Sequence, residues 1–134
     1  MREYTLLFEG EFRAYALVNE DGSCSVGDLL EALNAVNQYD ATTRRTMTKR
    51  LEYLVEGKLP KGSPVHHYVE NGIWQISSGK YRLMYFFDKE RIIICTHWFE
   101  KKSSKTPQRQ IRKALLHREK YFEAQQDKTL FLNG

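Results

Sequence analysis

The sequence predicts an α+β fold in which a small antiparallel β-sheet, arranged as a meander, packs against helices on one of its faces. Segments dense in strand formers follow one another in the second half of the chain, separated only by short polar breaks. Strands joined in this way pair antiparallel. Two segments with helical spacing of apolar residues precede these strands and one follows them. Helices segregated from a meander are typical of the α+β class.

The first half of the chain predicts one strand followed by two helices. Residues 11–18, EFRAYALV, alternate loosely and are rich in aromatics, which favours a strand, and NEDG at 19–22 is a turn signal. In residues 29–36, LLEALNAV, the apolar side chains have helical spacing. A second helix is expected from about residue 41 to 56, ended by Gly57, and LPKGSP at 59–64 reads as a connector.

The second half predicts three strands and a final helix. Aromatic and β-branched residues dominate the strand candidates, and the polar stretch DKER separates the last two of them. Thr106 is a suitable N-cap, with Pro107 at the first helical position, where its missing N–H costs nothing. The expected ranges are 73–77, 81–87 and 92–99 for the strands, and from 107 to about 124 for the helix.

Length and composition favour a single cytoplasmic domain covering residues 1–134. The chain starts with MREYTLLFEGEF, in which charges interrupt the apolar run expected of a signal peptide. It lacks any run of the roughly 20 apolar residues that a membrane span needs. Cys24 and Cys95 fit no metal-ligand spacing, and the adjacent His66 and His67 would point apart in a strand. We therefore expect no metal, no cofactor and no membrane association.

Positive charge is concentrated in the second half of the chain. Residues 1–72 contain 8 Lys or Arg against 11 Asp or Glu, and residues 73–134 contain 13 against 6. Within residues 100–120 the balance is 8 against 2. Charge distributed in this way favours a surface that faces a polyanion, although a solvated helix face beside a basic strand end would give the same pattern.

The hairpin at residues 81–99 predicts a cationic end to one face of the sheet. If Phe87 pairs with Ile92 across DKER, then Arg82 lies opposite His97, because strand side chains alternate. A bulge or a different loop length would change which side chains share a face. The set expected on one side is Arg82, Met84, Phe86, Ile93, Cys95, His97, Phe99 and Lys101.

The stretch GKYRLMYFFDKERIIICTHWFEKKSSKTPQRQIRKA at 79–114 resembles the phage-derived branch of the HigB-like toxins in the RelE/ParE superfamily. In that branch a strand with Tyr-Arg and a polar turn precede a His-x-Phe-x-Lys-Lys run, and Lys-Thr-Pro opens the last helix. The matching elements are Tyr81-Arg82, His97, Phe99, Lys101-Lys102 and Lys105-Thr106-Pro107, within about 45 residues from Gly72 to Lys113. Gln110 departs from the pattern, because many relatives carry glutamate there.

The resemblance implies a RelE-like fold and the toxin of a type II toxin–antitoxin system. Its implied activity is metal-independent endoribonuclease cleavage of mRNA on the translating ribosome, restrained by a helix-turn-helix antitoxin. Attack by the ribose 2′-hydroxyl on the adjacent phosphorus would leave a 2′,3′-cyclic phosphate and exclude DNA. Cations placed to meet the charge that builds on the phosphate oxygens would supply most of the stabilisation.

We assign candidate roles within this mechanism. Arg82 would clamp the scissile phosphate, because its guanidinium fork fits phosphate oxygens. Lys101 or Lys102 would act as a second cation or as the base; alternation separates the two, and Lys101 shares parity with Arg82. His97 would be acid or base, with a structural histidine as the alternative. Tyr121 would lie where relatives often place an aromatic, with packing as its alternative. The candidates for contacts to the RNA backbone are Lys105, Arg109, Arg112 and Lys113.

Two other functions are compatible with the same sequence. One is a non-catalytic module of the same fold that binds nucleic acid or a protein, and the other is a ParE-like gyrase inhibitor. A module would not arrest growth, whereas a gyrase inhibitor would induce a DNA-damage response and leave mRNA intact. A neighbouring reading frame for a short helix-turn-helix protein would favour the toxin.

Overall fold

A computed structural model describes residues 1–89 and 91–134, in which seven strands form one sheet and three helices cover it. The strands are β1 (Arg2–Glu9), β2 (Arg13–Val18), β3 (His66–Glu70), β4 (Ile73–Ser78), β5 (Tyr81–Asp88), β6 (Ile92–Glu100) and β7 (Leu130–Asn133). The helices are α1 (Ser25–Leu30), α2 (Gln38–Val55) and α3 (Gln108–Gln126). Across the described part of the chain, each helix is too short or too polar to cross a bilayer.

The sheet confirms the predicted α+β class but is larger than the small antiparallel meander expected. Its strand order is β3-β4-β5-β6-β2-β1-β7. Strands β3 to β6 form the antiparallel meander, and β2 joins β6 in parallel. At the far edge β1 pairs antiparallel with β2, and β7 pairs in parallel with β1. The result is a mixed sheet with two parallel pairs.

Three of the strands were not predicted from the sequence. β1 contains the apolar stretch YTLLF, and β3 begins in HHYVE, just after the expected connector. β7 has only four residues and exists because β1 offers an unpaired edge. Short or polar strands of this kind are determined by their pairing partners more than by intrinsic preference.

Helices cover both faces of the sheet, so the expectation of helices on one face is wrong. On the first face α1 and α2 pack on a core that includes Leu83, Tyr85 and Cys95. On the second face α3 packs on a core that includes Met84 and Phe86. Consecutive residues of the central strands are therefore apolar because each face is buried. The groove described below lies on the second face.

Helix α1 covers residues 25–30, so it ends near the start of the 29–36 stretch that was expected to be helical. Its end is a Schellman motif, in which the Leu33 N–H donates to Asp28 O (3.0 Å) and the Ala32 N–H to Leu29 O (3.1 Å). Ala32 adopts a left-handed φ of 58° there. Glycine is the usual residue at that position, so the sequence carries no stop signal. The corresponding residue after α2 is Gly57, with a φ of 73°, and it ends α2 as predicted.

A buried ion pair within α2 is joined to the sheet through Tyr81. Arg44 Nε lies 3.1 Å from Asp40 Oδ2, and both residues are buried. The Tyr81 hydroxyl, on β5, donates to Asp40 Oδ1 (2.5 Å). Arg44 Nη1 donates to the carbonyl oxygen of Leu33 (2.7 Å), which also holds the segment before α2. The hydrogen bond from Tyr81, followed by the charge of Arg44, lowers the pKa of Asp40.

The register of the β5–β6 hairpin differs from the expected one. β5 continues through Asp88, which pairs with Ile92, so Phe87 lies opposite Ile93. A bulge between Met84 and Tyr85 places Thr96 as an extra residue, after which Met84 pairs with His97 and Arg82 with Phe99. The predicted pairing of Arg82 with His97 is therefore wrong. Of the side chains expected on one face, Ile93 and Cys95 instead lie in the first-face core.

Candidate functional site

A groove of about 460 Å³ opens on the second face, at the end of the meander where β5 begins and β6 ends. Strands β3, β4 and β5 form one side, and the 101–106 segment with the start of α3 forms the other. Phe99 and Ile111 supply apolar lining. The charged and titratable side chains of its described lining are Arg82, Lys101, Lys105, His67, Glu70 and Tyr68.

Arg82 is positioned by the tight turn that joins β4 and β5. Its Nη1 donates to Gly79 O (2.7 Å) and to Tyr81 O (2.8 Å), which holds the guanidinium against the turn. Gly79 has a left-handed φ of 53°, and a Cβ there would lie 2.6 Å from Thr43 Cγ2, so the turn requires glycine. Burial lowers the pKa of Arg82 from its ordinary value, although an arginine stays cationic. Among the described residues, Nη1 alone makes protein hydrogen bonds, which leaves Nη2 and Nε available to a ligand.

The basic run after β6 reaches the groove through two of its three lysines. The Lys101 N–H donates to Lys80 O (2.6 Å), which continues the β5–β6 pairing one residue beyond the strand. Lys101 and Lys105 line the groove, whereas Lys102 is exposed to solvent outside its lining. Alternation along an extended backbone explains why neighbouring lysines diverge.

Helix α3 begins one residue later than expected and without the predicted cap. Pro107 has extended backbone angles and takes the cap position, so the helix starts at Gln108. The Thr106 hydroxyl donates instead to Gln75 Oε1 (2.9 Å), on β4. Gln75 is buried, so this hydrogen bond attaches the 101–106 segment to the sheet across the groove. The start of α3, with Gln108 in the lining, therefore faces the groove.

His97 is on the predicted face but is buried beside the groove. Its Nε2 donates to Gln110 Oε1 (2.8 Å), and the Thr96 hydroxyl lies 3.1 Å from Nδ1. Burial lowers the pKa of His97 to about 4, and the hydrogen bond with Gln110 offsets only part of that shift. Both ring nitrogens have protein partners and the ring is 9% exposed, 6.0 Å from the ring of Phe99. The structure does not bring His97 into the lining of the groove.

Tyr121 lies within the second-face core, at the far end of β5. It is fully buried, and its hydroxyl donates to Asp88 Oδ2 (2.6 Å). Asp88 is six residues along β5 from Arg82, which corresponds to roughly 20 Å of strand. Burial first, and then the bond to Asp88, raises the pKa of Tyr121. This tyrosine is held by packing and a hydrogen bond remote from the groove.

Three of the predicted RNA contacts lie on the outer surface of α3. Arg109, Arg112 and Lys113 are exposed and do not line the groove. They extend the positive surface from the groove rim along the helix. A polyanion held in the groove could continue over this surface, where phosphate contacts are independent of sequence.

His67 and Glu70 are groove residues that the sequence analysis did not select. Both belong to β3, for which the sequence predicted neither a helix nor a strand. His67 pairs with Gln75 of β4, and Arg82 pairs with Ser77 of the same strand, so all four share the second face by alternation. Its neighbour His66 points to the first face, where its Nε2 lies 2.5 Å from the Tyr85 hydroxyl. Only the pairing of β3 reveals where His67 points.

The groove combines groups that suit a phosphodiester. One guanidinium and two ammonium groups face one carboxylate, so the described lining has net positive charge. The imidazole of His67 lies in the same lining. Within the described residues no three His, Cys, Asp or Glu side chains are grouped as metal ligands. The arrangement can bind a phosphate and hold a proton acceptor beside it.

Comparison with protein families finds a match that covers more than half of this chain. Residues 34–119 match the model of a family described as "Phage derived protein Gp49-like (DUF891)". The matched region runs from the segment before α2 into α3 and contains the groove lining from β3 to Ile111. A search of curated proteins returns no match.

Proposed function

The chain belongs to the family of phage-derived Gp49-like proteins, and on that premise we propose that it is the toxin of a toxin–antitoxin pair and cleaves mRNA. The convergence of Arg82, Lys101 and Lys105 on one groove is the observation that carries the proposal. The three positive charges repel one another because they lie around one groove, so a bound anion that neutralises them would be stabilising.

In the proposed reaction the groove holds the scissile phosphate of a single-stranded RNA. The ribose 2′-oxygen loses its proton and bonds to phosphorus, while the bond from phosphorus to the 5′-oxygen breaks and that oxygen takes up a proton. The free nitrogens of Arg82 and the ammonium of Lys101 stabilise the charge on the non-bridging oxygens. Lys105, together with the exposed cations of α3, holds neighbouring phosphates.

The proposed partners follow from the same assignment. The substrate is mRNA on the translating ribosome, and a helix-turn-helix antitoxin restrains the toxin by covering the basic groove. The rival functions are outcomes of the test below: a binding module gives salt-sensitive RNA affinity without cleavage, and a gyrase inhibitor gives a DNA-damage response with intact transcripts.

Cleavage on reconstituted translating ribosomes tests the proposal. Wild-type protein is expected to cut mRNA in the decoding site and to leave a 2′,3′-cyclic phosphate and a 5′-hydroxyl. Arg82→Ala is expected to slow cleavage at least 100-fold, because removal of one preorganised donor to developing charge costs about that much. The matched control is Arg45→Ala, an exposed arginine on α2. Equal cleavage by Arg82→Ala and wild type would remove Arg82 from the mechanism.

A further inference from the structure

His67 shares the groove with the proposed phosphate clamp, and this juxtaposition adds a chemical role to the proposed function. Residues on adjacent strands fix their relative position: His67 pairs with Gln75, and Arg82 pairs with Ser77. Two strand spacings and a two-residue offset separate the Cα atoms of His67 and Arg82 by roughly 12 Å. The side chains of both residues line the groove. Both side chains therefore border the same space, in which the phosphate and ribose of the proposed substrate would bind.

We propose that His67 is the general base of the groove and removes the proton of the ribose 2′-hydroxyl. The 2′-oxygen then forms its bond to phosphorus, the bond from phosphorus to the 5′-oxygen breaks, and the leaving oxygen takes a proton from the Lys101 ammonium. This inference rests on the proposed function, because it concerns the same groove and the same substrate.

The other groups of the groove are less suited to that proton transfer. Arg82 and the two lysines present guanidinium and ammonium groups, which have no lone pair with which to accept a proton. Glu70 is the one competing acceptor in the described lining, and it lies beyond a bulge at the end of β3. Outside the groove, both ring nitrogens of His97 are hydrogen-bonded within the protein. His67 is half-buried, and among the described residues neither of its ring nitrogens makes a hydrogen bond to the protein.

The groove also supplies a surrounding that suits this role. Arg82 comes from β5, Lys101 and Lys105 from the segment before α3, and Glu70 from β3 itself, so cations face the imidazole from two elements. The cations can hold a phosphate beside the imidazole of His67. An unprotonated ring is the form that accepts the 2′-hydroxyl proton.

Single-turnover cleavage on translating ribosomes tests this role with three variants. His67→Gln is expected to lower the cleavage rate at least 100-fold, since a positioned general base contributes about 100- to 10,000-fold. Its affinity for a 2′-deoxy substrate analogue is expected to stay within about threefold of wild type, because phosphate contacts hold the RNA. His67→Ala is expected to regain activity with added imidazole, and Glu70→Gln is expected to keep most of the cleavage rate.

The results that would overturn this inference differ from the result that would overturn the proposed function. Cleavage by His67→Gln at the wild-type rate overturns the inference but leaves the proposed function in place. A loss in Glu70→Gln that equals the loss in His67→Gln transfers the base to the carboxylate and also overturns it. A loss in His67→Ala that imidazole does not restore, or that matches a loss of substrate-analogue binding, assigns His67 a structural role. Wild-type protein that cuts no RNA overturns both the inference and the proposed function.

Discussion

Removal of the buried hydroxyl of Tyr121 tests whether this residue has a catalytic or a structural role. Its contact with Asp88, which Gln125 also contacts through Nε2 (3.0 Å), satisfies a carboxylate that is 5% exposed. Tyr121→Phe removes one of these donors and keeps the ring, so we expect a loss of about 1–3 kcal/mol in the free energy of unfolding. Urea denaturation measures this loss. Cleavage per folded molecule is expected to stay unchanged, and a 100-fold slower reaction at full stability would restore Tyr121 to the mechanism.

The pKa of His97 gives a prediction with a definite sign. Burial lowers it from 6.5 to about 4, so the folded state favours the neutral ring. Stability from that ring is complete above pH 6.5 and is lost as pH falls towards 4, by on the order of 3 kcal/mol. Gln110→Glu places a carboxylate at Nε2, which should raise the pKa of His97 by about 1–3 units and reduce this acid-dependent loss.

The Gln110→Glu prediction is measured by following the His97 ring signal in an NMR titration, with urea unfolding at pH 7.5 and 4.5 in parallel. The His97 signal must be resolved from that of His117, because burial lowers the pKa of His117 to about 3. An unchanged His97 titration in the variant would show that residue 110 does not set the charge of this ring.

Residue types were easier to predict from the sequence than their positions. Arg82 and Lys101 could be selected because their strands are strongly patterned and their parity places them on one face. His67 could not, because its direction depends on pairing between β3 and β4 that intrinsic preference does not reveal. The bulge at Thr96 is a second such case, since it changes the partner of Arg82 without any glycine or proline to mark it.

At the scale of elements, the attachment of α2 depends on one charged side chain in a buried setting. Arg44 contacts Asp40 and Tyr81, and its guanidinium lies 5.2 Å from the Tyr81 ring centroid. Arg44→Met keeps most of the aliphatic volume but leaves Asp40 without its ionic partner. Breaking a buried pair in this way costs about 3–5 kcal/mol. The neighbouring exposed residue provides the control, since Arg45→Met is expected to change stability by less than about 0.5 kcal/mol. Thermal and urea unfolding of both variants measure the difference, and equal stability would show that packing alone holds α2.

Long, periodic elements could be predicted from the sequence, and short ones could not. The ranges of α2, α3, β5 and β6 agree with expectation to within a few residues, because apolar spacing and end signals agree with burial. The end of α1 rests on Ala32 in a left-handed conformation, for which alanine gives no sequence signal. Strand β7 gains its hydrogen bonds only after β1 has formed an open edge. Tertiary pairing therefore decides the size of the sheet.

For the whole molecule, much of the positive charge in the second half of the chain lies at the second face of the sheet. Helix α3 and the basic run after β6 lie there, whereas α2, on the first face, has four cations against two carboxylates. A net charge of +4 alone predicts little about binding. Charge placed on one side of a molecule produces a local potential that raises encounter rates with a polyanion. The fold thus places the cations of Arg82, Lys101 and Lys105 around one groove.

This arrangement predicts how salt affects RNA binding. For single strands the affinity falls with salt with a log–log slope of about −0.7 for each neutralised phosphate. If Arg82, Lys101 and Lys105 each neutralise one phosphate, replacing all three with glutamine should make the slope shallower by about 2.

A charge-matched control replaces the exposed Arg45, Lys49 and Lys58, in and just after α2, with glutamine. Fluorescence anisotropy of a labelled single-stranded RNA between 50 and 300 mM salt, on the order of the physiological range, measures both slopes. Because the two triple variants have the same net charge, equal slopes would mean that the RNA senses the total charge of the protein, and the groove would lose its assigned role in holding phosphates.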